Sequence, residues 1–398
     1  MYYGWKFVFA SSMYSMTFNG FYMSWGVFNA AFAGDPDLGG SLAVIGLIPS
    51  IMYASAALVC LSAKEVSVII PKLKIITFAA VLVLGLVLSS VAPSTTFLIF
   101  THGIMTGFSI TIIRLEYTFR IAEWFPWDHR YHVLATSFNR LAMVAGTVVY
   151  ANLIEWLFRT LGWRYGYLVL GGFFLVSVLL PLGSFQRPGT QAGPENQEAD
   201  KKVFGCGQQI CILSMWFLSN VANGIGHSNS TGILIKHLED MGLPSYVAVR
   251  FMTTEAVCNF FSRLATTLVG DRVKGHILKI HAVLALILAA NMLLGYAATS
   301  PTAFIPYSIV LGFGQGPLFS AMYASCSEVT SGQNVQQVYV ICSGGTYVGM
   351  SVAPYLSGAI YDWQNSYSLV FVILAVGYFV CGLAMFAIVV INKISTKT

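Results

Sequence analysis

Charge is what this sequence has least of. Asp, Glu, Lys and Arg make up only 9% of its 398 residues, against roughly 25% in soluble domains. That scarcity excludes an ordinary water-soluble globular chain. Long polar tracts are nearly missing as well; the only one is QRPGTQAGPENQEADKK at 186–202. The seven Cys lie in or beside apolar runs with no paired spacing, and neither a second Cys pair nor a His pair complements Cys206 and Cys211. No disulfide framework, metal site or cofactor is therefore expected. A nucleophile–base constellation is also missing, and the glycine tract GFGQGP at 312–317 has no strand before it, so it is not a phosphate loop and the chain does not read as an enzyme. The first apolar run lacks a small-residue cleavage site, which makes it a retained helix and not a signal peptide.

What is present is apolar length. Hydrophobic residues form 56% of the chain and the mean hydropathy is +0.71. Runs of about 20 apolar residues predict twelve membrane spans, near 6–30, 43–63, 75–93, 97–119, 135–157, 164–184, 207–232, 246–269, 276–298, 303–325, 336–361 and 366–391. With both termini cytoplasmic, most Lys and Arg fall on the inner side, among them Lys6, Lys64, Lys72, Lys74, Lys201 and Lys279, while Arg159, Arg164, Lys236 and Arg250 lie outside. This is the positive-inside pattern of a multi-pass protein of a plasma or organelle membrane. It accounts for the net charge of +5 without a nucleic-acid partner.

The polar tract divides the spans into two groups of six. The expected organisation is an N-terminal six-helix bundle at 1–185, a cytoplasmic linker at 186–204 and a C-terminal six-helix bundle at 205–398. The two halves carry weak matches in register: Asn19-Gly20 with Asn223-Gly224, Gly107 with Gly312, Glu123 with Glu328, and Lys64-Glu65 with Asp271-Arg272. Four matches in chain order indicate an internal repeat.

Within the spans, polar residues stand out. Glu255, Asn259 and Arg263 sit at i, i+4 and i+8 of the eighth span, so they stack along one helix face about 6 Å apart. Such a face cannot point at lipid, where each charge costs at least roughly 2.5–3.5 kcal/mol, and it reads as one wall of a polar transport site. The seventh span, SNVANGIGHSNSTG at 219–232, gathers Asn220, Asn223, His227 and Asn229 beside Gly224, Gly226 and Gly232, a composition that suits a bent, cavity-lining helix. His227 is either a hydrogen-bonded structural residue or a proton relay. In the fourth span Arg114 is either a second anion ligand or an arginine snorkelling to the inner interface. Glu116 and Arg120 are spaced to pair, Arg120 and Glu123 fall at the inner interface, and His102 is expected near the outer surface in water. Gln315 sits in the glycine tract of the tenth span, where the glycines permit close packing or a hinge.

Two parallel six-helix halves with a cytoplasmic linker resemble the major facilitator superfamily. The tract GDRVKGHILK at 270–279 is similar to that superfamily's loop between helices 8 and 9, and the resemblance implies an inner gate from Asp271, Arg272 and Glu328, with Glu123 as the first-half counterpart of Glu328. The equivalent first-half loop, LSAKEVSVIIPKLK, lacks the usual acidic-basic core. YYGWKFVFA and SWGVFNAAF in the first span, SEVTSGQNVQQ at 327–337 and APYLSGAIYDWQNSYSLVF at 353–371 resemble the monocarboxylate and oxalate/formate carriers. In that branch helix 8 has an Asp four residues before an Arg. Here Arg263 matches the Arg, but the Asp position holds Asn259, which cannot take up a proton; Glu255, one turn further out, is the candidate substitute. The first span offers Tyr22, with Asn19 and Trp25, and the eleventh offers Tyr339, whose position also suits an interfacial aromatic anchor. The resemblance implies a carrier of a small organic anion, a monocarboxylate, working by alternating access, with protons as a possible second partner. An amino-acid or short-peptide carrier is the alternative, and a non-transporting receptor or scaffold of the same fold is a third reading.

Overall fold

A chain that crosses lipid has no water to satisfy its backbone, so each apolar run must bond its own N–H and C=O groups, and a helix does this within one segment. The protein is accordingly all-α among its described residues. The structure, a computed structural model, describes residues 3–33, 35, 36, 38, 42–62, 70–186, 206–330 and 334–395. Two compact units, Met1–Pro188 and Gly189–Thr398, are taken in turn. The expected linker, but for Gln186, lies outside the described residues, as do Lys64 and Glu65.

In the first unit the helices are α1 (Tyr3–Met23), α2 (Trp25–Ala33), α3 (Leu42–Leu61), α4 (Pro71–Ser90), α5 (Thr95–Trp124) and α6 (His132–Gly183). The first predicted span is thus interrupted at Ser24, whose hydroxyl donates to the Gly20 carbonyl at 2.6 Å. Helix α5 opens with an α turn and then runs as π-helix over Ile99–Thr106. At 52 residues, α6 would be about 78 Å long if straight, more than twice a bilayer's hydrocarbon core. It is not straight: Gly162 adopts φ 79°, a backbone state that favours glycine. Just beyond that break, a methyl group on Gly166 would lie 2.5 Å from the Phe158 ring, so the chain turns back on itself there, between the two spans predicted at 135–157 and 164–184.

The second unit consists of α7 (Cys206–Gly232), α8 (Leu234–Asp240), α9 (Ser245–Val269), α10 (Ile277–Ala297), α11 (Phe304–Ser320), α12 (Met322–Val329), α13 (Val335–Gln364) and α14 (Ser368–Ser395). Among the described residues six segments are long and apolar enough to cross a membrane: Val44–Leu61, Pro71–Ser90, Thr95–Trp124, His132–Gly183, Ile277–Ala297 and Ser368–Lys393. The chain is therefore multi-spanning. Helices α7 and α9 fall outside that group for a physical reason, since Asn220, Asn223 and His227 in one and Arg250, Glu255 and Arg263 in the other dilute their hydropathy.

Glycines of the internal repeat sit at close helix crossings in each unit. A methyl group on Gly146 of α6 would fall 2.1 Å from the Met16 carbonyl oxygen of α1, and one on Gly20 would fall 2.6 Å from the Gly146 oxygen. In the second unit Gly224 of α7 stands 2.2 Å, on the same measure, from the Thr346 oxygen of α13, and Gly349 of α13 stands 2.2 Å from the Val221 oxygen. Gly107 of α5 meets the Met52 oxygen of α3 at 2.9 Å, just as Gly312 of α11 meets the Glu255 oxygen of α9 at 2.3 Å. Small residues at matching places let the same helix pairs pack backbone to backbone in both halves.

The first unit's core is aromatic. Phe21, Phe28, Phe32, Tyr167 and Phe174 are all essentially buried, and His102 lies among them. Its ring stacks on Phe21 at 4.9 Å and its Nδ1 is hydrogen-bonded to the Tyr167 hydroxyl. The expectation of a solvated His102 is thus wrong: the π-helical stretch and the aromatic shell enclose it.

Candidate functional site

Four-residue spacing on α9 delivers what it predicts. Glu255, Asn259 and Arg263 are 6%, 5% and 7% exposed and form one hydrogen-bonded ladder. The Asn259 Nδ2 donates to Glu255 Oε1 at 3.1 Å, and Arg263 Nε donates to Asn259 Oδ1 at 2.7 Å. An amide has one donor end and one acceptor end, so the order carboxylate, amide, guanidinium fixes which way Asn259 points. It also leaves two opposite charges joined through a neutral group. An Asp at 259 would instead set a carboxylate directly against the guanidinium.

Helix α11 forms the adjoining surface. Besides the Gly312 contact, a methyl group on Gly316 would sit 1.8 Å from Ser262 Oγ, and Ser262 Oγ donates to the Gly312 carbonyl at 3.2 Å. Of the two roles open to the glycine tract, the structure uses close packing. The approach holds Gln315 and Phe319, one turn apart, beside the ladder. Gln315 is fully buried; its Oε1 is 2.9 Å from His227 Nδ1 and its Nε2 donates to the Tyr378 hydroxyl of α14 at 3.0 Å. The Phe319 ring joins the two sets: the His227 ring centre lies 4.2 Å away and the Arg263 guanidinium carbon 5.7 Å away, within cation–π range.

The second unit therefore brings Arg263, Asn259, Glu255, His227 and Gln315 into one cluster. Sequence reasoning missed Phe319 and Tyr378. Phe319 follows Gln315 by one helical turn, a signal that was available; Tyr378 sits in an apolar run with nothing to mark it. Asn220 has a different task. Its Nδ2 donates to the Trp216 carbonyl at 2.8 Å and its Oδ1 accepts from Cys342 Sγ at 3.0 Å, so it ties α7 to α13. Asn223 is buried, and among the described residues its Oδ1 has no hydrogen-bond partner. The Asn229 side chain lies outside the described residues. Tyr339 is not an interfacial anchor: it is fully buried with its ring 5.1 Å from Tyr323, because α12 covers it.

In the first unit Arg114 is 4% exposed, which rules out snorkelling, since a snorkelling arginine exposes its head group. Tyr22 packs its ring on Phe18 at 4.8 Å and on Tyr53 at 5.2 Å. The pairing expected of Glu116 and Arg120 does not form. Lys74, expected in an inner loop, is instead buried in α4 and donates to Glu116 of α5 at 2.5 Å. Arg120 pairs with Glu123 and lies 4.4 Å over the Phe185 ring.

In the inner loop the residues expected at the gate make the following contacts. Both carboxylate oxygens of Glu328 are engaged by the N-terminus of α10: Oε1 accepts from the Gly275 N–H at 2.7 Å and the Ile277 N–H at 3.1 Å, and Oε2 from the Leu278 N–H at 2.8 Å. Glu328 thus caps the start of α10. Burial pushes its carboxyl above the ordinary range, and the three N–H groups and His276 pull it back in part. Asp271 pairs with Lys274 at 3.2 Å.

Comparison with known proteins agrees with this architecture. The family model described as Major Facilitator Superfamily matches residues 7–304 and 280–397. The chain belongs to that superfamily. It is accordingly a secondary transporter of the major facilitator class and not an enzyme. Among its curated relatives, Monocarboxylate transporter 13 of Bos taurus is 24% identical over 76% of this chain and 70% of that protein. Monocarboxylate transporter 2 of Homo sapiens is 22% identical over 72% and 65%. The multi-drug resistance efflux pump PmrA of Streptococcus pneumoniae is 22% identical over 69% and 67%. The solved structure of the major facilitator transporter FucP in its outward conformation matches with a TM-score of 0.73 at 15% identity, covering 98% of this chain and 99% of that one. At that identity FucP supports the fold of this superfamily member and nothing finer.

Proposed function

We propose that this protein carries a small organic anion, a monocarboxylate, across a plasma or organelle membrane by alternating access, with Arg263 as its principal anion ligand. The single observation behind this reading is a buried arginine whose one-turn neighbour is an amide where a carboxylate would neutralise it. A guanidinium offers a permanent charge and a planar fork that matches a carboxylate in two parallel hydrogen bonds. Several relatives are named monocarboxylate transporters, which supports the same substrate class. Asn259, His227, Gln315 and Asn223 complete the polar wall in the second unit, and Arg114, Tyr22, Asn220 and Tyr339 are second-rank candidates. In this reading the chain makes twelve crossings in two six-helix bundles, at 1–185 and 205–398, with both termini cytoplasmic, an arrangement supported by the positive-inside pattern and the repeated glycine crossings. Asp271, Arg272, Glu123 and Glu328 belong to the inner face in this scheme.

Glu255 is the candidate for proton coupling. It is the acidic end of the ladder, and a proton gained there would be felt at Arg263 through Asn259. A second solved structure with this fold, at 14% identity, is the E. coli fucose:proton symporter, so the fold accommodates such coupling. An amino-acid substrate is the second reading, favoured by the opposite charges at the two ends of the ladder. Uptake into proteoliposomes of labelled monocarboxylates, amino acids and uncharged sugars, with and without a pH gradient, tests the proposal. Monocarboxylate uptake is the expected result; uptake of sugars alone would overturn it.

A further inference from the structure

The Gln315 amide does more than fill space. Its Nε2 is committed to the Tyr378 hydroxyl, so its Oε1 is the atom that meets His227 Nδ1. A carbonyl oxygen only accepts, so Nδ1 must carry the ring proton, and in the neutral imidazole the other nitrogen, Nε2, is then a lone-pair acceptor. The chain Tyr378, Gln315, His227 thus sets the tautomer of a histidine that is itself only partly buried. Arg263 lies against the same Phe319 ring as His227. The His227 and Arg263 distances are measured to the same ring centre, so the two groups cannot be further apart than those distances laid end to end. Hydrogen bonds of about 2.9 Å at each end then limit a molecule bridging the two groups to a few bonds in length.

Resting on the reading of Arg263 as an anion ligand, we propose that His227 Nε2 selects the substrate: a short carboxylic acid that carries a hydrogen-bond donor, hydroxyl or ammonium, close to its carboxylate. Arg263 takes the carboxylate, Phe319 lies along the carbon skeleton and the donor is received by His227. An acid with a keto oxygen in that place would set one lone pair against another. An acid with a methylene there would leave Nε2 desolvated without a partner, the situation that lets a polar site reject an analogue lacking the donor. The groups set against His227 are Gln315 and Phe319 from α11 and the Arg263 charge from α9, with Tyr378 of α14 behind Gln315 and Glu255 at the far end of the α9 ladder. Glu255 gives the two donors different fates, since an ammonium gains from a carboxylate on the same wall and a hydroxyl does not.

The test is competition by four three-carbon acids, lactate, alanine, pyruvate and propionate, against a labelled acid on the purified full-length carrier. Wild type should bind lactate, alanine or both at least about tenfold more tightly than pyruvate and propionate. His227→Asn keeps a donor toward Gln315 and has no atom at the Nε2 position, so the ratio should fall to about one. His227→Gln, which places an amide there, should restore part of it. Each variant is checked for a monodisperse elution profile, and the Gln variant serves where the Asn variant fails that check. Glu255→Gln should remove an alanine preference and spare a lactate preference, which separates the two donor classes. No discrimination in wild type, or discrimination that survives His227→Asn, overturns the inference. Arg263→Gln reports separately on the reading beneath it: if that variant binds all four acids as wild type does, Arg263 is not the anion ligand, whatever the His227 variants show.

Discussion

Replacing Gly312 by Ala tests whether the site depends on the contact between α9 and α11. The added methyl would meet the Glu255 carbonyl oxygen at 2.3 Å, the Cys258 Cβ at 2.7 Å and the Asn259 nitrogen at 2.9 Å. Two of these atoms are backbone and cannot swing aside, and carbon contacts settle near 3.5–4.0 Å, so the helices must part by roughly 1 Å. Overpacking of this kind costs about 1–3 kcal/mol. The separation falls where it matters, because Gln315 and Phe319 lie on the displaced helix and the ladder on the other. Gly172→Ala is the matched control: nothing lies within 4 Å of a methyl there, and an exposed helical glycine gains about 0.5–1 kcal/mol from the same change. Thermal unfolding in detergent should therefore shift down for Gly312→Ala and up or not at all for Gly172→Ala. Transport should fall at least about tenfold in the first and hold in the second. If the two variants unfold and transport alike, the packing argument for the site is wrong.

Other consequences can be checked in the same preparations. Lys74→Met or Glu116→Leu alone should cost about 3–5 kcal/mol by stranding the partner's buried charge, while the double variant should recover most of it in a double-mutant cycle; equal loss in the double would show that the pair matters for packing and not for charge. Glu328 binds its proton more tightly folded than unfolded because burial raises its carboxyl, so its contribution to stability is present below the unfolded value and lost as pH rises through the folded one. The melting temperature of wild type relative to Glu328→Gln should then decline as pH rises above the ordinary carboxylate value, and a rising difference would show that the three N–H bonds of the cap outweigh burial. Glu255→Gln should abolish accumulation driven by an inward proton gradient while exchange at equal pH continues; a wild type indifferent to the gradient removes Glu255 from coupling.

The sequence was most legible where one physical demand acts alone. Apolar length gave the helices, and the offset of the repeat led to Gly20, Gly107, Gly224 and Gly312, the residues that let helices touch. Spacing also sufficed for Glu255, Asn259 and Arg263, because all three sit on one helix and the 3.6-residue period decides their face. Contacts between helices were harder. Glu116 sat at helical spacing from Arg120, yet its partner came from α4, where the buried Lys74 needs a carboxylate, while the buried Arg120 takes Glu123. Polarity alone suggested water for His102, but a histidine whose nitrogen meets a tyrosine hydroxyl is satisfied inside an aromatic core. The capping role of Glu328 was not legible, because one-dimensional patterns show charges and hide the unpaired N–H groups of a helix start. Tyr378 carried no signal at all, as its importance lies in a hydroxyl that meets Gln315 from another helix.

The central claim is that Arg263 holds the substrate's carboxylate, and equilibrium binding of a labelled monocarboxylate to purified protein addresses it most directly. A charge-assisted, two-point hydrogen bond contributes about 1.5–3 kcal/mol, so Arg263→Gln should weaken binding by roughly ten- to a hundredfold in a monodisperse protein. Arg263→Lys keeps the charge without the fork and should fall between the two. Wild-type affinity in Arg263→Gln, or a wild type that binds no monocarboxylate, would contradict the account.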